Sequence, residues 1–408
     1  MRTFVVCVAA LTAVILPGRV RAQTVALTER EALAQLGAGS ARVQAARASI
    51  DIARADVLAA GRWPNPRATF NREAVAGVAE DMVMVAQTLP VTGRRRFAVS
   101  AATARVDATS RRADDAVRRL RADLRLAFTD VWSAQERERE LARSRDRLDD
   151  LAAILGRREE AGEAAGFDRL RAEREVLDAD ATRSLAAGER AQAQALLASF
   201  LGSPRDGSAI EAIRPLASAT TIPTVDELTA RADTARGELA AFAREIDAAG
   251  FAEQEARRRS VPEPEVVAGT KTSNAAGGDV GSIVSVHVSI PLFDRFRPER
   301  AAAEARGRQA RAESAALRQR IRGQIAGWRA ALLERRQIAD RHRAALGGGA
   351  AEIERIAQVS YEAGERGILE LLDAYRTASA ARLRQIELDA AVREAEIELE
   401  FVSGWEIP

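Results

Sequence analysis

Apolar and polar residues alternate along Ile283-Val284-Ser285-Val286-His287-Val288-Ser289-Ile290, which puts Val284, Val286, Val288 and Ile290 on one face and Ser285, His287 and Ser289 on the other. That period of two predicts a β-strand. A weaker copy lies near residue 85, where Val83, Val85 and Leu89 share a face with Gln87. Partner strands are expected over Arg67 to Glu73 and Glu265 to Thr272, joined through Gly77 and through Gly277-Gly278-Asp279. Elsewhere the period is that of a helix. From Arg94 to about Gly156 there is no proline, and Val117, Leu120, Leu124, Ala127 and Val131 step by three and four before Leu141, Leu148 and Leu155 continue at seven. Leu317, Ile321, Ile325, Trp328 and Leu332 repeat the seam in the second half, and a return helix carries Leu383, Ile386, Ala390 and Ile397. A helical run of that length suits a coiled coil or an extended helical barrel.

The same order occurs twice. Glu160-Ala161-Gly162-Glu163 recurs as Glu362-Ala363-Gly364-Glu365, while Pro64 and Pro66 answer to Pro262 and Pro264, and Pro90 to Pro291. Each copy opens with a helix, expected from about Thr28 to Arg62 and from Thr224 to Arg259 and ended by a Pro-x-Pro pair. The expected division is a signal peptide over 1–22, a first repeat over 23–203, a linker over 204–223 and a second repeat over 224–408. Within the repeats the β-hairpins fall at about 66–91 and 264–292, and the long helical hairpins at about 94–201 and 298–403. The signal reading rests on Arg2, the apolar run Phe4 to Leu16, the Pro17-Gly18 break, and Val20 and Ala22 before a cut at Gln23. A transmembrane anchor needs about 20 apolar residues, more than this run supplies.

Composition narrows the chemistry. The 61 basic residues nearly balance 59 acids, a formal charge of +2 that becomes −1 if the signal and its three arginines are removed, so a dedicated nucleic-acid binder is not expected. One cysteine, Cys7, and two histidines, His287 and His342, cannot build a Cys/His zinc site within one chain. No nucleophile arrangement or acid/base pair with specific spacing is present, and the expectation is a protein without catalytic residues or cofactor. His342 reads as solvent-exposed, His287 as an ordinary polar-face residue, and Gly347-Gly348-Gly349 as a loosened or kinked stretch of helix. Arg94-Arg95-Arg96, at a strand-to-helix boundary without interleaved aromatics, reads as a contact for headgroups or carboxylates.

Four half-apolar strands cannot close a barrel alone. An open sheet of that kind is an aggregation hazard in water and is not viable in lipid, so several chains would each donate strands. A soluble β-layer packed on the helices remains the alternative.

The order helix, strand pair, long helical hairpin, repeated after a signal, resembles the TolC-type outer-membrane efflux channels. Trp63-Pro64-Asn65-Pro66 and Leu89-Pro90-Val91-Thr92-Gly93-Arg94-Arg95 resemble the CzcC-like branch that serves heavy-metal exporters, and Tyr361-x-x-Gly364 with Leu371-Leu372-Asp373-Ala374 resembles the family's hairpin tip. The resemblance implies a mainly α fold with a small β part: a homotrimer in which twelve strands form one pore in outer-membrane lipid and long helices form a periplasmic tunnel. It implies a passive conduit fed by an inner-membrane RND-type pump through a periplasmic adaptor. Carried over residue by residue, it makes Asp168, opposite Tyr361 and Arg366, a periplasmic lock, with Glu370 and Asp373 as carboxylate rings and Gly162 and Gly364 as the adaptor-contacting tips. Glu370 departs from the aspartate common at its place, and Arg366 and Glu370, four apart, could equally form a surface ion pair. Val83, Val85, Leu89, Val284, Val286, Val288 and Ile290 would face lipid. A drug or organic-solute channel of the same family, or a secreted coiled-coil adaptor, would share much of this pattern.

Overall fold

A computed structural model describes residues 25–37, 40–162, 166–201, 210–215 and 221–406. The signal expected over 1–22 and most of the linker over 204–223 lie outside the described residues. After β1 (Val25–Leu27) the chain forms α1 (Glu29–Gln35), α2 (Ala41–Ala60), β2 (Arg67–Val75), β3 (Val78–Thr88), α3 (Arg94–Glu160) and α4 (Gly166–Leu201). The series then repeats as β4 (Ile210–Ala212), α5 (Val225–Ala235), α6 (Gly237–Arg259), β5 (Pro264–Ser273), β6 (Asp279–Val288), α7 (Arg297–Glu362) and α8 (Ile368–Ser403).

The duplication is visible down to caps and core. Thr28 and Thr224 each close a capping box with the glutamate three residues on, Glu31 and Glu227. Leu124 and Phe128 anchor one buried cluster with Leu197 and Phe200, and Ile321 and Ile325 anchor its counterpart with Leu399 and Trp405. A third cluster, Leu148, Leu151 and Leu155 with Ile368, Leu371 and Leu372, joins the two hairpins near their ends. The seam read from the sequence is buried where expected: Leu141, Leu148 and Leu155 in α3, and Leu317, Ile321, Ile325 and Leu332 in α7. At 67 residues α3 is about 100 Å long.

Several expectations need correction. Each opening helix is two helices, because the chain leaves helical geometry after Leu36 in the first repeat and at Arg236, whose ψ of 106° is extended, in the second. The break lets α1 and α5 turn onto the α3 and α7 cores while α2 and α6 follow the long helices. A short parallel pair, β1 with β4, was not expected from three-residue segments too brief to show a period. His342 is half-buried, its Nδ1 2.9 Å from Gln385 Oε1, and belongs to the α7–α8 interface rather than to open solvent.

Helix α3 packs on α4 and α8, and α8 on α7; toward the sheet, α3 packs on α2 and α6, and α6 on α7. The long helices therefore form a layer whose free margins are α4 and α2 on one side and α7 on the other. The sheet has the order β2-β3-β5-β6, antiparallel throughout, with β2 and β6 as free edges.

Candidate functional site

The sheet register decides which side chains share a surface. Phe70 pairs with Val83, Ala68 with Val85, Val85 with Ala268, and Ala268 with Val284. One face therefore carries Ala68, Phe70, Val83, Val85, Val266, Ala268, Val284, Val286 and Val288. The other carries the cross-strand pairs Arg67–Glu265 at 2.7 Å and Lys271–Glu80 at 2.5 Å, with His287 Nδ1 3.7 Å from Glu265. On the apolar face Val284 is 76% exposed, Val286 60% and Val83 53%, so no helix of the same chain covers it. The band has ends: toward the hairpin turns the same face changes to Arg72, Asp81 and Thr272, with Arg72 and Asp81 3.6 Å apart. Leu89 and Ile290 lie just beyond their strands, which stop at Thr88 and Val288; Leu89 N–H donates to the Pro264 carbonyl, and Ile290 is exposed.

The turns hold the hairpins in step. Ala76 and Gly77 both have positive φ, 51° and 86°, as a two-residue hairpin of the primed type requires. Asn274 Oδ1 accepts from the Ala79 N–H at 2.7 Å and its amide reaches the Gly77 carbonyl, fastening one hairpin to the other.

At the far end of the long helices, Gly162 and Gly364 take left-handed φ of 75° and 71° just after α3 and α7, where each hairpin turns. Asp168 stands in the first turn of α4, half-buried. Tyr361 is half-buried against the third core cluster with Arg158 5.8 Å from its ring centre. Arg366, Glu370 and Asp373 are exposed. The pair Arg366–Glu370 does not form, and within the chain Asp168 meets neither Tyr361 nor Arg366. Arg366 follows the turn rather than lying on α8, which starts at Ile368, so helical i,i+4 spacing does not apply to it.

Two polar devices escaped the sequence. Glu140, buried on α3, meets Arg382 at 3.2 Å, Arg147 at 3.4 Å and Arg143 at 3.7 Å, and Glu354 binds Arg382 and Arg147 at 2.7 and 2.5 Å, so one five-charge cluster joins α3, α7 and α8. Hydrogen bonding to Glu354 raises the Arg382 pKa and keeps it charged. Nearby, burial raises the Tyr375 hydroxyl, which donates to Gln358 at 2.6 Å. Glu140 and Arg147 are seven apart beside Leu141 and Leu148, the one hint the sequence offers. Among the described residues no helix is long and apolar enough to cross a membrane, and no group of three or more His, Cys, Asp or Glu side chains could hold a metal.

Residues 228–404 match the model of the family described as outer membrane efflux protein. Over its second repeat the chain is thus similar to the outer membrane efflux protein family. Solved structures agree on the fold. A membrane protein from Pseudomonas aeruginosa aligns with a TM-score of 0.77 at 22% identity, over 92% of this chain and 93% of that one. CusC, described with the conformational changes that accompany folding and transmembrane channel formation, aligns with a TM-score of 0.75 at 17% identity, over 95% and 94%. The outer membrane protein VceC from Vibrio cholerae gives 0.75 at 15% identity, over 93% and 97%. No curated protein matches the chain. The fold thus places an open amphipathic sheet at one end of a long helical layer and two hairpin turns at the other.

Proposed function

We propose that this protein is the outer-membrane channel of a tripartite efflux system, a homotrimer whose three four-stranded sheets close one β-barrel and whose helices form a tunnel into the periplasm. The exposed valine face with two unpaired edges carries the reading. Such a sheet is stable in lipid only if its edges are paired by further strands, and three copies supply a closed barrel with the apolar face toward lipid and the Arg67–Glu265 and Lys271–Glu80 face toward the lumen. The helical margins support the same closure. Phe167, Leu170, Leu177 and Leu185 are exposed on α4, and Ile353, Ile356 and Val359 on α7, so each free margin offers an apolar stripe to a neighbouring copy.

In the trimer Asp168, Tyr361 and Arg366 are the closing contacts, and Glu370 and Asp373 form rings of three carboxylates that favour cations. That the Asp168, Arg366, Glu370 and Asp373 side chains make no ion pair among the described residues supports this role. The tips at Gly162 and Gly364 receive a periplasmic adaptor, and an inner-membrane pump supplies the energy. Heavy-metal cations are the proposed substrate, on the likeness of the Pro64-Asn65-Pro66 and Gly93-Arg94-Arg95 segments to the metal-exporting branch. Outer-membrane fractionation and planar-bilayer conductance of the purified protein test the channel. A soluble, non-conducting monomer would overturn it. Comparing metal and drug tolerance of cells with and without the protein tests the substrate, and a change in drug tolerance alone would favour an organic-solute channel.

A further inference from the structure

Where the sheet meets the helices the surface changes character. Trp63, Val91, Leu292 and Phe293 are exposed there, Phe293 completely. Arginines stand among them. Arg95 lies 5.5 Å from the centre of the Trp63 ring and Arg259 5.8 Å from that of Phe296, so each repeat pairs a guanidinium with an aromatic ring at this junction. Arg94 is neutralised by Glu263 at 3.2 Å, and Arg67 by Glu265. Arg96, Arg258, Arg295 and Arg297 are exposed and, among the described residues, have neither an acidic nor a hydrogen-bonding side-chain partner, although most arginines of the long helices are paired. The opposite rim is not basic: Glu73, Glu80, Asp81 and Asp279 there face only Arg72 and Lys271.

We infer that this junction is a binding collar for the phosphate groups of anionic phospholipids, with Arg96, Arg258, Arg295 and Arg297 as the phosphate contacts and Trp63 and Phe293 seated at the headgroup level. The inference rests on the barrel reading above, because only a membrane-inserted sheet puts the collar against headgroups. It follows from position and chemistry. Guanidinium donors match phosphate oxygens, often bidentately, and amphipathic rings favour the boundary between hydrocarbon and water. A cation near an anionic surface is attracted to it, and the attractions of several add. Four unpaired cations per chain, repeated by symmetry, would fix the depth of the barrel and hold a ring of lipids at its helical rim. Each was free to remain unpaired because the lipid, rather than a neighbouring carboxylate, supplies the counter-charge.

The test uses the full-length trimer and the variant R96Q/R258Q/R295Q/R297Q. Native mass spectrometry after mild extraction should find phosphatidylglycerol on the parent. Reconstitution into vesicles of phosphatidylcholine with and without phosphatidylglycerol should show at least about tenfold stronger retention of the anionic lipid by the parent than by the variant. Excess inorganic phosphate should not displace that lipid. Conductance is recorded on the same samples. If the parent neither inserts nor conducts, the channel reading itself fails. If the parent conducts but shows no preference for phosphatidylglycerol, or if phosphate displaces the lipid, the collar does not exist as described. Equal retention by a conducting variant overturns it too. Should the variant not assemble, the parent's dependence on vesicle composition still decides.

Discussion

Gln135 and Ala212 are joined through both ends of the glutamine amide: the Ala212 N–H donates to Gln135 Oε1 at 2.8 Å, and Gln135 Nε2 donates to the Ala212 carbonyl at 3.4 Å. Gln194 Nε2 likewise donates to the Ile210 carbonyl at 2.6 Å. Two glutamines buried on α3 and α4 thus satisfy backbone groups of β4, whose ladder among the described residues runs to β1 alone. Replacing Gln135 with Leu would bury an unpaired N–H and C=O. The expected cost is about 2 kcal/mol in denaturant unfolding, with loss of hydrogen-exchange protection at Ala212.

Two glycines of α6 should respond in opposite ways to alanine. A Cβ on Gly237 would press against the Arg111 carbonyl, and its N–H bonds to Asp115 Oδ1 at 3.3 Å, so Gly237→Ala should cost about 1–3 kcal/mol by forcing α6 off α3. Nothing lies within 4 Å of a Cβ on Gly250, and Gly250→Ala should be neutral or stabilise by up to about 1 kcal/mol. Thermal melts of the two variants check both.

The cluster of Glu140, Arg147, Glu354 and Arg382 holds the two hairpins of one chain together. Glu140→Leu leaves two guanidiniums sharing Glu354, and should cost about 2 kcal/mol, less than a fully buried pair because both arginines reach solvent. Glu140→Leu with Arg382→Met should be less damaging than the two single costs added, in a double-mutant cycle by denaturant unfolding.

At the tips, Asp168→Asn, or Tyr361→Phe together with Arg366→Ser, should raise the conductance of the closed channel several-fold. Glu370→Gln with Asp373→Asn should lower the preference for cations over anions. Single-channel recording in asymmetric salt reads both; variants that conduct like the parent would remove these residues from the gate.

Acid should loosen the two capping boxes. The Glu31 carboxylate accepts from the Thr28 N–H and hydroxyl, each at 2.8 Å, and Glu227 does the same for Thr224. Hydrogen bonds from the threonine backbone, then from its hydroxyl, lower both glutamate pKa values. A carboxylate with a lowered folded pKa contributes its full stabilisation above the unfolded pKa and loses it as pH falls through the folded value. Amide protection at the start of α1 and α5 should therefore be unchanged near neutrality and fall below the ordinary glutamate range. Glu31→Gln and Glu227→Gln should flatten that response.

The duplication, the long helices and the alternation of the strands are legible in the order of the amino acids alone, because each is a repeat or a period: Leu141, Leu148 and Leu155 announce a seam whatever they pack on, and Val284, Val286 and Val288 announce a face. That order did not determine the breaks near Leu36 and Arg236, since α1 and α5 become separate helices only by packing on α3 and α7. The β1–β4 pair joins residues 185 positions apart, and Gln135 and Gln194 reach β4 across 77 and 16 positions, and no local period records such contacts. Packing in three dimensions keeps Arg366 and Glu370 apart, buries Glu140 among arginines and leaves the valine face uncovered. Each depends on what lies opposite a side chain, which register and helix packing set through space.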